Sequence, residues 1–310
     1  MEKRHIGNSD LEVGILGLGC NNFGMKIDYE ASKTVLDAAL DAGIDFLDTA
    51  DIYGETQSEE FMGRALEGRR DSAVIATKFG GLRMRSEKPW GTREYIVECV
   101  EASLQRLRTD RIDLYQLHYP DPKTPIQETL EGLQALVDSG KVRAIGCSNF
   151  SADMLEEAGS AAGEGMGFAT IQNEWNLLER EVEAEVVPAA EKGGLHVLPY
   201  FPLASGMLTG KYRRGEGFAE GTRLAVMNDY FGAIASEQNF DKVEALTSFA
   251  EEAGHDILEL AIGWLASQTC VASVIAGATS PEQVRTNVAA SGWRLSATEL
   301  ARVDAILASP

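Results

Sequence analysis

The stretch DFLDTADIYG, residues 45–54, places ionisable side chains at the end of an apolar run. Its first half is typical of a buried strand, and Asp48, Asp51 and Tyr53 then follow in quick succession. A phenol has an ordinary pKa of about 10, so it is a weak acid at neutral pH. A lysine ammonium nearby would lower that pKa, and Lys78 ends another apolar run. Asp48 could keep such a lysine charged and in place.

His118 would complete an acid–base set with Asp48, Tyr53 and Lys78. It ends a third apolar run, in the sequence LYQLHYP. A neutral imidazole can hold a carbonyl oxygen by a hydrogen bond, while a tyrosine supplies a proton as that oxygen becomes negative. Reduction of a carbonyl group by hydride needs such an arrangement, since the oxygen gains charge as the hydride arrives.

Each of these four residues also has a purely structural explanation. Asp48 could cap a helix or form an ion pair, and Lys78 could pair with any carboxylate. Tyr53 could be a core or rim aromatic, and a single histidine such as His118 on an apolar strand is more often a core residue. The combination favours the chemical interpretation, because three strand ends and one loop with complementary roles would converge on one place.

The elements that must position these residues alternate regularly between strand and helix. Eight apolar runs are typical of strands: Ile15–Gly19, Ile44–Asp48, Ala73–Lys78, Ile112–His118, Val142–Cys147, Thr170–Gln172, Leu195–Tyr200 and Ser273–Ala276. Amphipathic helical patterns lie between them, and Thr124–Gln127, Ser280–Gln283 and Ser296–Glu299 have the pattern of capping boxes that begin helices. Eight strands, each followed by a helix, predict an α/β fold, a (β/α)8 TIM barrel that spans residues 1–310 as a single domain.

Chemistry in such barrels takes place at the C-terminal ends of the strands. Five consecutive strands carry polar residues there, which predicts that all of them face one mouth. We also expect the first two dozen residues to form a short hairpin that closes the bottom of the barrel. The long stretch Leu208–Asn239, after the seventh strand, is poorly periodic, and a loop of that length is usually functional.

Composition limits the partners of this chain. A formal net charge of -20 opposes binding to nucleic acid and to anionic membranes. No apolar run approaches the roughly 20 residues of a membrane helix, and the N-terminus lacks the pattern of a signal peptide. The four cysteines are scattered without a C-x-x-C pair, which is typical of reduced thiols in the cytoplasm and not of a disulfide framework or a zinc site. No surface pattern indicates an oligomeric state.

Several motifs, in this order along nearly the whole chain, resemble those of the aldo-keto reductases, including the branch of potassium-channel beta subunits. They are DTADIYG (48–54), TKFG (77–80), LYQLHYP (114–120), IGCSNF (145–150), IQNEWN (171–176), YFPLASGMLTGKY (200–212) and VIAGATSPEQV (274–284). The resemblance implies a catalytic tetrad in which Tyr53 donates the proton and Lys78 lowers its pKa. Asp48 would anchor Lys78, and His118 would orient the substrate.

The resemblance also implies a nicotinamide cofactor, extended across the barrel mouth. A Rossmann fingerprint fails here, because Asn22 stands where GLGCNNFG would need its third glycine, and GMLTGK is too short for a P-loop. Ser148, Asn149 and Gln172 would hold the carboxamide and Tyr200 would stack on the ring. The full set of cofactor-binding residues that we expect is Gly19, Cys20, Asn21, Ser148, Asn149, Gln172, Tyr200, Phe201, Pro202, Leu203, Gly206, Leu208, Lys211, Arg223, Gly277, Thr279, Gln283 and Asn287.

Two departures from the family pattern affect the choice of cofactor. Many members that prefer NADPH have an arginine or lysine where this chain has Ala278–Ser280, without a cation. Lys211, Arg213, Arg214 or Arg223 could supply the charge instead. Phe201 replaces a serine that is common in the family, which could alter the fit. We expect NADPH, with NADH or dual use as the alternative.

Aromatic and apolar residues near the predicted mouth form the expected substrate wall, which suits a small or medium carbonyl or alcohol. They are Met25, Phe79, Trp90, Tyr119 and Trp175. The pattern does not separate aldehydes, ketones, ketosteroids and sugars, nor reduction from oxidation.

Three other interpretations compete with the reductase. Lys78 could form a Schiff base in an aldolase, although the other members of the tetrad argue against this. A metal-dependent hydrolase would need clustered ligands, and the four histidines show no such spacing. A redox-sensing regulatory subunit of a potassium channel is disfavoured by the complete tetrad and by the short segment before the barrel.

Overall fold

A small antiparallel hairpin precedes the main sheet, as expected. The computed structural model describes residues 1–81, 89–163, 165–218, 223–226 and 232–308. Strands β1 (Lys3–His5) and β2 (Glu12–Gly14) pair antiparallel. Apolar residues of this hairpin and its turn, such as Ile6 and Val13, are buried in one cluster with residues from inside the barrel, so the hairpin covers one end of it.

Eight parallel strands form the main sheet, in the order β10-β3-β4-β5-β6-β7-β8-β9. They are β3 (Leu16–Gly19), β4 (Phe46–Asp48), β5 (Val74–Phe79), β6 (Ile112–Leu117), β7 (Val142–Ser148), β8 (Thr170–Gln172), β9 (His196–Val197) and β10 (Val274–Gly277). The two edges of the sheet meet, because Ile275 N of β10 donates to Pro199 O, just after β9, at 3.2 Å. Ala272 N, just before β10, donates to Val197 O of β9 at 3.0 Å. The sheet therefore curls into the predicted barrel.

Strand β9 is shorter than the predicted Leu195–Tyr200. Pro199 has no N–H to donate, which ends the regular ladder. The chain nevertheless stays beside β8, since Leu198 N donates to Ile171 O at 2.9 Å and Tyr200 N donates to Asn173 O at 3.1 Å.

Helices surround the sheet. They are α1 (Tyr29–Asp41), α2 (Gln57–Ala65), α3 (Arg93–Leu107), α4 (Ile126–Asp138), α5 (Ala152–Ala162), α6 (Val186–Lys192), α7 (Arg223–Val226), α8 (Glu237–Glu252), α9 (Ile257–Ala266), α10 (Pro281–Ala290) and α11 (Ala297–Leu307). In α3, for example, Ile96, Val100 and Leu107 are buried. The larger apolar cluster lies between the strands and these helices.

The three predicted capping boxes have different outcomes. Ser296 and Glu299 form the complete reciprocal box before α11. Ser280 caps α10, but the side chain of Gln283 accepts from Thr279 and not from Ser280. The box at Thr124 is wrong: Pro125 is extended, and Thr124 Oγ1 instead donates to Asp121.

The stretch after the seventh barrel strand contains more structure than the predicted loop Leu208–Asn239. A 3-10 turn covers Ala204–Thr209, α7 and a second 3-10 turn at Gly232–Ala235 follow, and α8 begins at Glu237. Arg214 holds the start of this stretch to α8 by ion pairs with Glu237, Asp241 and Glu244.

Candidate active site

The barrel interior changes from apolar to polar towards the C-terminal ends of its strands. Alternate residues of a strand point to the same side of the sheet. Phe46, Ala76 and Leu114 belong to the inner apolar cluster, so the residues two positions later also point inwards. Those residues are Asp48, Lys78 and Gln116, all buried. A polar layer therefore lies directly above the apolar interior.

Lys78 is the centre of this polar layer. Its Nζ donates to Asp48 Oδ2 at 2.6 Å, to the Thr49 carbonyl at 2.8 Å and to the Tyr53 hydroxyl at 3.4 Å. Burial lowers the pKa of Lys78, but the charges of Asp48 and then Tyr53 outweigh it, so the net pKa is raised. The lysine is therefore charged throughout the neutral range.

Two glutamines fix the position of Asp48. Its second oxygen, Oδ1, accepts hydrogen bonds from Gln172 Nε2 at 2.9 Å and from Gln116 Nε2 at 3.3 Å. Gln172 had been expected from the sequence as a cofactor contact, and here it also orients the tetrad. Gln116 was not predicted from the sequence. Its position two residues before His118 could have indicated it, because alternate residues of a strand point to the same side of the sheet.

Tyr53 stands between the lysine and the histidine. Its ring centroid lies 6.0 Å from that of His118, with the two planes nearly perpendicular. Burial raises the pKa of Tyr53, and the charge of Lys78 offsets part of this rise. Lys78 thus lowers the pKa as predicted, but burial outweighs it and the net pKa lies above the ordinary value, so the phenol keeps its proton at neutral pH.

His118 is neutral and carries an unpaired buried nitrogen. Burial, and then the charge of Lys78, lower its pKa to about 3. Its ring stacks on that of Tyr119 at 5.0 Å. Within the described part of the chain Nδ1 has no hydrogen-bond partner. An unpaired buried polar atom is costly, so this nitrogen is poised to bond a ligand.

The loop that carries Tyr53 requires a glycine at its end. Gly54 has a φ of 57°, and a Cβ there would lie 2.6 Å from the Phe23 carbonyl oxygen. Beyond it, Ser58 N donates to the Tyr53 carbonyl at 3.2 Å. The DTADIYG motif is therefore a turn that folds back onto the start of α2.

Comparison with known proteins agrees with this geometry. The model of the aldo/keto reductase family matches residues 15–308. The chain belongs to the aldo/keto reductase family. It is 36% identical to aldo-keto reductase YhdN of Bacillus subtilis, over 99% of this chain and 94% of that protein. It is 37% identical to a probable voltage-gated potassium channel subunit beta of Oryza sativa, over 94% and 91% of the two chains.

Solved structures of the family are similar along almost the whole chain. The glycerol dehydrogenase AKR11B4 from Gluconobacter oxydans superposes with a TM-score of 0.84 at 34% identity, covering 99% of this chain and 95% of that one. The holo form of aldo-keto reductase AKR11C1 from Bacillus halodurans has a TM-score of 0.82 at 32% identity, covering 99% and 96%. This chain is thus an oxidoreductase of a family that is generally NAD(P)H-dependent and acts on carbonyl substrates.

The residues expected to hold the carboxamide gather beside the tetrad. Ser148 Oγ donates to the Gln172 carbonyl at 2.6 Å. Asn149, with a φ of 61°, donates from Nδ2 to the His118 carbonyl at 3.0 Å. Its Oδ1 accepts from the Tyr200 hydroxyl at 2.9 Å. One hydrogen-bond network therefore orients Ser148, Asn149 and Tyr200 around the mouth.

The chain after Tyr200 is held in an unusual backbone conformation. Phe201, Ala204 and Ser205 all have φ between 46° and 55°, in the left-handed region. Such conformations cost energy and concentrate at binding sites. Gly206, with a φ of 98°, lets Lys211 lie against it, since a Cβ there would be 2.5 Å from Lys211 Nζ.

The other residues expected along this loop are placed as follows. Pro202 and Leu208 are buried, and Leu203 is partly buried. Lys211 is exposed, with its Nζ 5.0 Å from the centre of the Tyr212 ring. Arg214 is held by the acidic face of α8, and the side chain of Arg223 lies outside the described residues.

The remaining residues of the expected cofactor-binding set lie around the pairing of β3 with β10. Gly19 pairs with Gly277 in the ladder, and a Cβ on Gly277 would lie 3.5 Å from Asn21 Oδ1. Gln283 Oε1 accepts from Thr279 N at 2.8 Å, which orders the start of α10.

Gly19 of this set is buried, and so are two further residues. Asn287 is buried on α10. Cys20 is fully buried, and its Sγ lies 3.6 Å from the Leu18 carbonyl. Burial raises the pKa of Cys20 well above its ordinary value, so this thiol stays protonated.

The expected substrate wall divides into two groups. Trp90 Nε1 donates to the Tyr119 carbonyl at 2.9 Å, which holds these two residues together beside His118. Phe79 and Trp175 lie in the core instead, where they pack against Tyr115 and Trp264, respectively.

Met25, the last residue of the expected substrate wall, is 49% exposed.

Among the residues that the structure describes, no cluster of three or more metal-ligating side chains occurs. No helix in that same part of the chain has the length and apolar character needed to cross a membrane.

Proposed function

We propose that this chain catalyses the reversible transfer of hydride between the nicotinamide of NADPH and a small or medium aldehyde, ketone or sugar carbonyl, with Tyr53 as the acid. The observation that carries the proposal is the chain of contacts from Asp48 through Lys78 to the Tyr53 hydroxyl, at 2.6 and 3.4 Å. A protonated phenol beside a fixed positive charge can donate to a developing alkoxide, and that charge then stabilises the phenolate.

His118 would accept or orient the carbonyl group without competing as an acid. Its pKa of about 3 keeps it neutral, and a neutral imidazole with a protonated Nδ1 or Nε2 can donate a hydrogen bond. With Tyr53 at one side and His118 at the other, the substrate oxygen would be held by two donors. In the opposite direction the Tyr53 phenolate would accept the hydroxyl proton of the alcohol, while His118 would orient that hydroxyl.

The residues present fit a nicotinamide cofactor, which when bound would supply the hydride. Support comes from the network of Ser148, Asn149 and Tyr200, and from the left-handed backbone that follows it. Lys211 is an exposed cation next to that backbone, which favours NADPH over NADH. Dual use is the alternative, because the segment Ala278–Ser280 has no cation.

The test is the Tyr53→Phe variant, assayed for carbonyl reduction with NADPH and for cofactor binding by quenching of the protein's fluorescence. We expect a loss of turnover of at least about a hundredfold with nearly unchanged cofactor affinity. Turnover close to that of the wild type would show that Tyr53 is not the acid. Binding of neither NADPH nor NADH would exclude the proposed reaction.

The solved relative from Gluconobacter oxydans is described as a glycerol dehydrogenase, which supports polyols as a substrate class to assay in the oxidative direction. A second candidate role follows from the relative in Oryza sativa, described as a probable potassium channel subunit. Under that role the chain would act as a redox-sensing regulatory subunit, and a stoichiometric channel partner would co-purify with it. We place the protein in the cytoplasm, because its four cysteines are all free.

A further inference from the structure

A buried charged group lies behind the tetrad, on the outer side of the strands. Glu59 in α2 is fully buried. Its Oε1 accepts from Thr77 Oγ1 at 2.5 Å, and its Oε2 accepts from Arg106 Nε of α3 at 2.6 Å. Thr77 directly precedes Lys78 in β5 and faces the opposite side of the sheet. Glu59 therefore binds the strand that carries the tetrad lysine.

The residue before Glu59 binds the loop that carries the tetrad tyrosine. Ser58 N donates to the Tyr53 carbonyl, and the hydroxyls of Ser58 and Thr49 lie 2.8 Å apart. Thr49 in turn offers its carbonyl to Lys78 Nζ. The first turn of α2 thus contacts both arms of the site, the Tyr53 loop through Ser58 and the Lys78 strand through Glu59.

We propose that Glu59 is a positioning residue, which fixes the separation of the Tyr53 hydroxyl and Lys78 Nζ by holding α2 against Thr77. This inference rests on the proposed roles of Tyr53 and Lys78. The two atoms are 3.4 Å apart, at the long end of hydrogen bonding. A further few tenths of an ångström would break the contact, so a small movement of α2 would change the acidity of the phenol.

Stability alone does not account for this arrangement. Burying a carboxylate and a guanidinium costs desolvation energy that their attraction barely offsets. Apolar residues of similar size often give the folded protein equal or greater stability. A second buried carboxyl, that of Asp51, lies close by, and the charge of Glu59 contributes to raising its pKa. What an apolar pair could not supply is the directional bond from Glu59 to Thr77.

The test compares four variants of the whole protein. Glu59→Gln keeps an acceptor for Thr77 but loses the charge that Arg106 holds. Thr77→Val removes the bond without changing any charge, and Thr77→Ser should restore it. The matched control is Asp113→Asn, which removes the charge of another buried carboxylate that pairs with Arg70 and Arg143, at the end of β6 remote from the polar layer.

Two measurements report on position and not on stability. The first is the pKa of the Tyr53 phenol, followed without cofactor by tyrosinate absorbance as the difference between each variant and the same variant carrying Tyr53→Phe. The second is kcat and KM with NADPH. For Thr77→Val we expect a higher Tyr53 pKa and a kcat lower by about tenfold, with KM changed less than about twofold. Glu59→Gln should change both in the same direction but less, because its amide oxygen still accepts from Thr77 while the bond to Arg106 is weakened. Thr77→Ser and Asp113→Asn should match the wild type in both.

The outcomes separate the two hypotheses. If Thr77→Val leaves the Tyr53 pKa and kcat unchanged while Tyr53→Phe abolishes turnover, the positioning role is wrong and the proposed reaction stands. A lower Tyr53 pKa in Glu59→Gln would show that Glu59 acts through its charge, which also overturns the inference. If the wild type itself reduces no carbonyl compound, the proposed function fails, and the Tyr53 pKa still decides the positioning role. Should Glu59→Gln not fold, the two Thr77 variants decide the question alone.

Discussion

Replacing Asp51 by asparagine should change how the stability of the protein depends on pH. Asp51 is buried, and its Oδ1 has no hydrogen-bond partner among the described residues. Burial first, and then the charge of Glu59, raise its pKa from 3.8 to about 7. The folded protein therefore holds a proton on Asp51 at a pH where the unfolded chain has already released it.

The sign of the effect follows from this difference in bound protons. Because the folded pKa is the higher one, the wild type loses stability as the pH rises from about 4 to about 7. A difference of about 3 between the two pKa values corresponds to about 4 kcal/mol, all of which is lost above pH 7. Asparagine has no proton to lose, so the Asp51→Asn variant avoids this cost.

Urea unfolding at two pH values, followed by circular dichroism, would measure the effect. Relative to the wild type, Asp51→Asn should gain about 2 to 3 kcal/mol in unfolding free energy between about pH 5 and about pH 8. Subtracting the unfolding free energy of the wild type from that of the variant at each pH cancels the contributions of the other titrating groups, which both proteins share. Asp110→Asn, which removes a carboxylate that is 91% exposed, is the matched control and should show little change with pH. A stability difference for Asp51→Asn that is the same at both pH values would refute the reasoning.

Two further substitutions test the site and its supporting helices. Lys78→Met should raise the pKa of Tyr53, lower kcat and shift the pH–rate profile to higher pH, and an unchanged profile would mean that Lys78 does not tune the phenol. The same variant leaves Asp48 buried without its cation and should lose roughly 3 to 5 kcal/mol of stability. Gly63→Ala would place a Cβ 2.3 Å from the Arg106 carbonyl oxygen and force α2 away from α3, at a cost of roughly 1 to 3 kcal/mol in thermal or urea unfolding. Gly159→Ala in α5, where a Cβ would meet nothing within 4 Å, is its control and should gain about 0.5 to 1 kcal/mol; equal effects of the two would contradict the packing argument.

Strand and helix alternation was enough to predict the barrel, because both periodicities are local properties of the chain. Motif order along the chain indicated the tetrad, and parallel strands necessarily bring their C-terminal ends to one side. The distances between side chains were not predictable, since they depend on the curvature of the closed sheet. Gln116 illustrates this, because its bond to Asp48 joins two strands that are not neighbours in the sheet.

At some positions, contacts between distant parts of the chain override what the local sequence pattern predicts. Thr124 has the spacing of a capping residue, but its hydroxyl donates a hydrogen bond to Asp121 and does not cap the helix. Trp175 has the character of a pocket residue, but its ring is buried against Trp264, and no local pattern distinguishes the two cases. Lys78 lowers the pKa of Tyr53 as predicted, but the larger opposing effect of burial is not readable from residue types alone.

The N-terminal hairpin has a consequence for the order in which the protein folds. Arg4 in β1 donates to the carbonyls of Ala266, Gln268 and Val271, at the seam where the short strand β9 meets the segment before β10. These contacts join residues more than 260 positions apart, so closing them carries a large loop entropy and comes late. Until then the edges of β9 and β10 stay unpaired, and unpaired strand edges invite association with other chains. Arg4 would therefore matter most to the yield of refolding at high protein concentration, through aggregation of the open sheet, and little to the activity of the protein once it is closed.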